Sequence, residues 1–345
     1  MISSEAENAE RIVSPKASSD DFGKFENNLR PKKFADYVGQ EIIRENLMIA
    51  IEAAKGRDEV LDHVLLHGAP GLGKTTLASV IAAEFGVNMK VTSGPALEKQ
   101  GDIASIISNL EPFDVLFIDE IHRLKSVVEE VLYTAMEDFG IDIIIGKGPS
   151  ARNMRINLPK FTLIGATTKV SMISAPLLSR FGNVFKLQFY SEKEICEIVM
   201  RSAKILGCSL DMEVAKLIAN CARQTPRIAN RLLKRVRDYA DVKHNSIISA
   251  ESVSMAMRSL GIDEIGLDSV DREILSIIIE KFRGGPVGLN TIAAAISEEQ
   301  STVEDIYEPF LIQKGFLERT ARGRMVTDRA YRHLQMLHKD TLKNA

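Results

Sequence analysis

Residues Gly68 to Thr75 read Gly-Ala-Pro-Gly-Leu-Gly-Lys-Thr, the residue types and spacing of a phosphate-binding loop. The run follows the apolar Val64-Leu65-Leu66 and precedes Leu77, Val80 and Ile81 at helical spacing. A strand that turns through glycines into a helix aims backbone N–H groups and the positive helix end at one point, where anionic phosphate is held. Gly71 and Gly73 let the backbone close around phosphates, and Lys74 reaches the β- and γ-phosphates. Thr75 offers a hydroxyl to Mg²⁺, with Thr76 next in the same turn. These residues imply binding of a nucleoside triphosphate.

Downstream, Val115-Leu116-Phe117-Ile118 ends in Asp119-Glu120. Four apolar residues closing on two carboxylates form a Walker B pattern: Asp119 would hold Mg²⁺ with Thr75, and Glu120 would polarise the attacking water. His122 is expected beside the site or at the surface rather than as a ligand. The run Phe161–Ala166 ends in Thr167-Thr168, hydroxyls placed to sense a γ-phosphate. Pro176-Leu177-Leu178-Ser179-Arg180 puts an arginine after a short helical stretch. It cannot easily reach its own chain's nucleotide, which makes it a candidate trans-acting finger. Thr225-Pro226-Arg227 places a second arginine at a helix start. By pattern alone, an arginine in either place is more often a surface ion pair.

The elements that position these residues alternate. Strands are expected at His63–His67, Asn88–Thr92, Asp114–Ile118, Phe161–Ala166 and Val184–Leu187, with helical patterns between them, as in a parallel α/β sheet. The stretch Gly140 to Asn157 breaks this rhythm and reads as an inserted, projecting β-hairpin. Beyond Tyr190 the pattern is helical at Glu192–Leu206, Met212–Cys221, Pro226–Asp241 and Ala250–Leu260, and Gly261–Gly266 reads as a short linker. Helices near Asp268–Lys281, Leu289–Ile296 and Thr302–Lys314, then two short β runs around Gly323, suggest a winged helix. Arg319, Arg322 and Arg324 sit on that wing with no acid between them and are expected to track DNA phosphates. The expected organisation is an unfolded tail (1–24), a large ATPase domain (25–190), a small helical domain (191–261) and a winged-helix head (262–345).

Composition fits this reading. The chain of 345 residues has 44 Lys and Arg against 47 Asp and Glu, so any DNA contact must come from locally clustered cations. Cys196, Cys208 and Cys221 lack metal or disulfide spacing and are expected to be free thiols in the cytoplasm. No apolar run approaches membrane-spanning length.

Leu29-Arg30-Pro31-Lys32, Asp36-Tyr37-Val38-Gly39-Gln40, Asp119-Glu120-Ile121-His122-Arg123-Leu124, Gly165-Ala166-Thr167-Thr168 and Thr225-Pro226-Arg227-Ile228-Ala229-Asn230-Arg231 resemble the RuvB family, from about Phe25 to Leu337. These are bacterial AAA+ motors of Holliday-junction branch migration. The resemblance implies an AAA+ P-loop domain, a helical lid and a winged helix, with ATP or ADP and Mg²⁺ as ligands. It implies a homo-hexamer on double-stranded DNA, with RuvA docked on the hairpin 140–157 and RuvC joining for resolution. It also implies Thr168 as sensor 1, Arg180 as arginine finger and Arg227 as sensor 2, with Arg30, Glu137-Asp138-Phe139 and Tyr190 lining the nucleotide pocket. Five positions depart from the family pattern. Leu178 and Ser179 stand before Arg180, Gln224 replaces a glycine and is expected to stiffen a hinge, and Ala321 replaces a proline and should loosen the wing. Gln300 replaces a helix-start arginine. A clamp-loader-like AAA+ switch, which binds DNA and ATP without processive movement, is the alternative reading.

Overall fold

The computed structural model of the chain describes residues 28–145 and 152–335. The expected tail (1–24) and the tip of the hairpin fall outside the described residues. Two compact units divide the chain, residues 30–190 and the residues from Ser191 onward, with Leu29 belonging to the second.

In the first unit, β1 (Val64–His67), β2 (Met89–Ser93) and β3 (Val115–Asp119) are each followed by a helical segment. After β3 comes an antiparallel hairpin of β4 (Gly140–Ile145) and β5 (Arg152–Asn157), then β6 (Thr162–Thr167) and β7 (Asn183–Lys186). The order β2-β3-β6-β1-β7 is parallel throughout. Every expected strand forms within about one residue of its apolar run. The three central strands are apolar because both faces are covered, whereas along edge strand β7 half-buried and exposed residues alternate. Leu116, Ile118 and Leu163 of the sheet pack on Ile103 and Ile107 of helix Gln100–Ser108 and on Val128 and Leu132 of helix Ser126–Asp138. Each fully buried side chain of this kind contributes about 1.5–3 kcal/mol.

The second unit begins with four helices, Glu192–Ile205, Met212–Cys221, Pro226–Lys243 and Ala250–Ser259. Ser191, Asp211 and Ser249 cap three of them by accepting first-turn N–H groups. Thr225 holds the cap position of the third, but its hydroxyl donates to the Ala222 carbonyl instead of accepting from the helix. Helices Ser269–Phe282 and Leu289–Ala295 follow, and β8 (Leu317–Thr320) and β9 (Gly323–Val326) form the wing. The helix expected at Thr302–Lys314 is interrupted. A turn at Gln300–Thr302 passes through a π-helical turn, Val303–Tyr307, into helix Glu308–Gln313. Pro309, with no N–H to give, explains the break in the regular ladder.

The segment read as a linker is bound from both sides. Asp263 accepts the N–H groups of Ile265 at 3.1 Å and Leu267 at 2.9 Å, and His333 bonds its second oxygen at 2.9 Å. Arg272 donates to the carbonyls of Leu267 and Gly261, both at 2.8 Å. No helix among the described residues is long and apolar enough to cross a membrane.

His63 ties the start of the sheet together. Its Nδ1 accepts the Leu163 N–H at 2.8 Å, so Nε2 carries the proton and donates to the Met136 carbonyl at 3.0 Å. Burial lowers its pKa, with the Met136 bond and Asp62 opposing. A folded-state pKa below the unfolded value of about 6.5 means the contribution is whole above that pH and lost as pH falls through it. Thermal melts from about pH 7 down to about pH 5 should therefore show a falling midpoint that is flattened in His63→Gln. An unchanged slope in that variant would contradict the assignment.

Candidate active site and nucleic-acid interface

The phosphate loop joins β1 to helix Lys74–Phe85. Gly73 takes the helix N-cap position in the left-handed region, φ 94°, and a β-carbon there would meet the Tyr37 hydroxyl at 3.3 Å and that of Tyr190 at 3.7 Å. Those two phenols bond each other at 3.2 Å, and Tyr190 donates to the Leu72 carbonyl at 3.2 Å. Burial and the neighbouring Tyr190 hold the Tyr37 phenol well above its usual pKa, so it stays neutral beside the loop. Tyr190 is thus fixed at the loop. The segment carrying half-buried Arg30 is anchored on the same helix, where the Phe34 N–H donates to Glu84 at 2.8 Å.

Lys74 is buried, and its ammonium donates to the carbonyls of Gly68 at 2.9 Å and Ala69 at 3.0 Å. Burial lowers its pKa, while Asp119 and Glu120 pull it back up. The loop lysine and the carboxylates at the end of β3 therefore share one electrostatic site. Thr75 and Thr76 occupy the first turn behind it, half-buried. One hydroxyl and one carboxylate, completed by phosphates and water, are a donor set that suits Mg²⁺.

Glu120 stands in the left-handed region, φ 50°, with its N–H bonded to Asp119 Oδ1 at 2.9 Å. A non-glycine residue in that region costs on the order of 1–3 kcal/mol and is kept only where its surroundings impose it. The strained turn lifts the Glu120 carboxylate off the strand line, 3.3 Å from His122 Nε2. His122 Nδ1 lies 2.9 Å from the Thr167 hydroxyl, which also accepts the Lys169 N–H at 2.9 Å. With the imidazole neutral, Thr167 donates to Nδ1 and leaves Nε2–H to face Glu120. Of the threonine pair, Thr167 is thus buried in this relay and Thr168 is the half-exposed one. His122 is more engaged than its sequence position suggests, since its imidazole is only 6% exposed.

All of these groups follow the C-terminal ends of strands. Arg180 does not. It precedes β7, where it donates to the carbonyls of Tyr133 at 3.2 Å and Pro176 at 2.7 Å, pairs with Glu137 at 2.9 Å and lies over the Tyr133 ring at 4.7 Å. Glu137, Asp138 and Phe139 share this N-terminal edge: Asp138 pairs with Arg155 of the hairpin, and Phe139 packs against His63 and Phe161. Within one chain, then, Glu137–Phe139 and Arg180 are separated from Lys74 by the length of the sheet. The pocket lining carried over for Glu137–Phe139 does not form around the chain's own loop. Arg227 lies in the second unit, at the first turn of helix Pro226–Lys243.

On the wing, the three arginines are not equivalent. Arg324 is 11% exposed and grips Glu308 with two bonds, Nε to Oε1 at 3.0 Å and Nη2 to Oε2 at 2.9 Å. Its expected place on DNA is therefore corrected, because the guanidinium is spent inside the domain. Arg319, 60% exposed, lies near Glu304 at 3.7 Å and Glu308 at 4.0 Å. Arg322 is exposed at the turn. At the turn that carries Ala321, the Thr320 hydroxyl donates to the Gly323 carbonyl at 2.8 Å and accepts the Arg322 N–H at 3.3 Å.

The family model for the Holliday junction DNA helicase RuvB P-loop domain matches residues 29–187. Those for the RuvB AAA lid domain and the RuvB C-terminal winged helix domain match residues 190–263 and 264–335. The chain belongs to the RuvB family. A Holliday junction branch migration complex subunit RuvB from Dehalococcoides mccartyi is 57% identical over 335 residues, 97% of this chain and 96% of the relative. Its counterpart from Chloroflexus aggregans is 57% identical over 326 residues, 94% and 93% of the two chains. Among solved structures, the Thermotoga maritima RuvB Holliday junction branch migration motor is similar with a TM-score of 0.81 at 51% identity, covering 90% of this chain and 99% of that one.

Glu120→Gln should retain ATP binding and lose hydrolysis by about 10²–10⁴-fold, the usual worth of a positioned base. His122→Ala should lower turnover by a smaller factor with binding unchanged. Single-turnover hydrolysis beside a nucleotide-binding titration checks both, and wild-type turnover in His122→Ala would remove the relay from the mechanism.

Proposed function

We infer that this chain is an ATP-hydrolysing motor that drives branch migration of Holliday junctions in the cytoplasm. It works as a homo-hexameric ring on double-stranded DNA, with RuvA docked on hairpin 140–157 and RuvC joining for resolution. The observation that carries the reading is the position of Arg180, at the sheet edge opposite its own phosphate loop. A finger there completes the site of a neighbouring copy, so hydrolysis belongs to the ring.

In this mechanism Gly71, Gly73 and Lys74 hold the phosphates of ATP, and ADP after turnover, while Tyr37 and Tyr190 keep the loop in register. Thr75 and Asp119 would hold Mg²⁺, and the ion would supply positive charge beside the phosphates. Glu120, oriented by His122, takes the proton of the attacking water, and Thr168 contacts the γ-phosphate. Arg180 of the adjacent copy, released from Glu137, stabilises the charge of the transition state, a contribution typically of about 10³–10⁵ in rate. Arg227 reports the presence of the γ-phosphate to the lid. Arg319 and Arg322 follow the DNA backbone without reading bases, which suits movement along any sequence.

Incubation with ATP, Mg²⁺, RuvA and a mobile four-way junction should yield two duplexes. A junction left intact despite stoichiometric hydrolysis would instead favour the clamp-loader-like switch. On the wing, Arg322→Ala should weaken DNA binding about equally for all sequences and reduce the salt slope by about 1. Arg324→Ala should destabilise the domain by about 3–5 kcal/mol, because buried Glu308 would lose both bonds of its fork and keep only the 4.0 Å approach of Arg319. Salt titrations and chemical denaturation separate the two effects, and a full salt slope in Arg322→Ala would contradict its assignment.

A further inference from the structure

Between the lid helices Met212–Cys221 and Pro226–Lys243 runs a turn in which Arg223 (φ 50°) and Gln224 (φ 55°) are both left-handed. Two consecutive non-glycine residues in that region need something to hold them. The Arg223 side chain supplies it. Nearly fully buried, it leaves the lid and enters the winged-helix domain. Its Nε donates to the Gly266 carbonyl at 3.2 Å, and its Nη2 pairs with Asp268 at 3.0 Å and with Asp271. Its guanidinium lies 4.5 Å over the ring of Phe310. Asp268 and Asp271 are the N-cap and third residue of helix Ser269–Phe282, closed on each other by a reciprocal capping box. Gln224 adds a second tie, its side chain accepting from Gln313 at the end of helix Glu308–Gln313. The residue expected to stiffen a hinge thus also reaches the winged-helix domain. Gly266 allows the close approach, since a β-carbon there would stand 2.8 Å from the Cys221 carbonyl.

As a source of stability this cluster is poor. Asp271 is fully buried, and burial pushes its carboxyl up to about 8 against the pull of Arg223. One Arg223 nitrogen, Nη1, and one Asp271 oxygen, Oδ1, are buried with no hydrogen-bond partner. Well-packed apolar residues commonly hold two domains together as firmly as a buried ion cluster. What the forked guanidinium adds is direction: its bonds and its ring contact are met together at one orientation of the lid relative to the wing.

We propose that Arg223 is a positioning residue for branch migration, the pin that makes lid and winged helix one lever so that lid movement reaches the DNA-contacting wing. The proposal rests on the motor reading given above. Arg227, four residues on, opens the helix that this same turn sets.

The test compares wild type, Arg223→Met and Arg223→Lys in the full chain assembled with RuvA and a mobile junction. Lysine keeps the charge but cannot bond three partners from one fork. Both variants should bind junction DNA and hydrolyse ATP within about twofold of wild type, while junctions migrated per ATP fall at least tenfold, an uncoupling that simple loss of fold does not produce. Spin labels at Val242 and Glu318, both exposed, should give one narrow distance in wild type and a broad distribution in the variants. A Cys208→Ser background removes the one half-exposed thiol. Unchanged migration per ATP, or an unchanged narrow distance, would overturn the proposal. Failure of both variants to fold would also overturn it, by making Arg223 a stability element. If the wild type moves no junction, the motor reading fails, while the distance comparison still decides whether Arg223 pins the lever.

Discussion

A parallel sheet has two chemically different edges, and the rest of this molecule depends on which groups lie at each. The strands that matter run four to six residues, which at about 3.3 Å per residue separates the edges by roughly 13–20 Å. The phosphate loop, Asp119, Glu120 and the Thr167-Thr168 pair follow C-terminal ends, where helix N-termini also point their positive ends. Arg180 and Glu137 lie at the other edge, held by contacts of their own. No side chain spans that gap. On the proposed reading, Arg180 is therefore an arginine that a chain would offer to a neighbour.

Charge is managed with the same economy. Lys74 is buried but answered by two carboxylates, and Arg180 waits against Glu137 and two carbonyls, so neither cation is stranded before a phosphate arrives. His122 links the base to the strand end that carries the candidate sensor. In the second unit, Asp263, Arg272 and Arg223 close the short segment between lid and winged helix into a fixed joint.

Much of this was legible in the sequence because it is local. Five strands follow from apolar runs, and the loop follows from eight consecutive residues. What escaped depends on partners far along the chain. Arg324 reads as a free wing cation until Glu308, sixteen residues earlier, takes both sides of its fork. Glu137–Phe139 are not lining for the chain's own loop, because strand direction puts them at the far edge beside Arg180. Arg223 carries no motif; its hydrogen-bond partners, 43 to 48 residues away, become visible only when the domains pack. The two positive φ values in its turn are a backbone signal that sequence does not show.

The central claim is that one working site is built from two copies. It is tested most directly by mixing Glu120→Gln chains with Arg180→Ala chains. Each alone should be inactive, since every interface lacks either the base or the finger. In mixed rings, some interfaces pair the intact base of an Arg180→Ala chain with the intact finger of a Glu120→Gln chain, and ATP hydrolysis should reappear on mixing. Mixed rings that form and remain inactive, or Arg180→Ala rings that hydrolyse at the wild-type rate, would contradict the account.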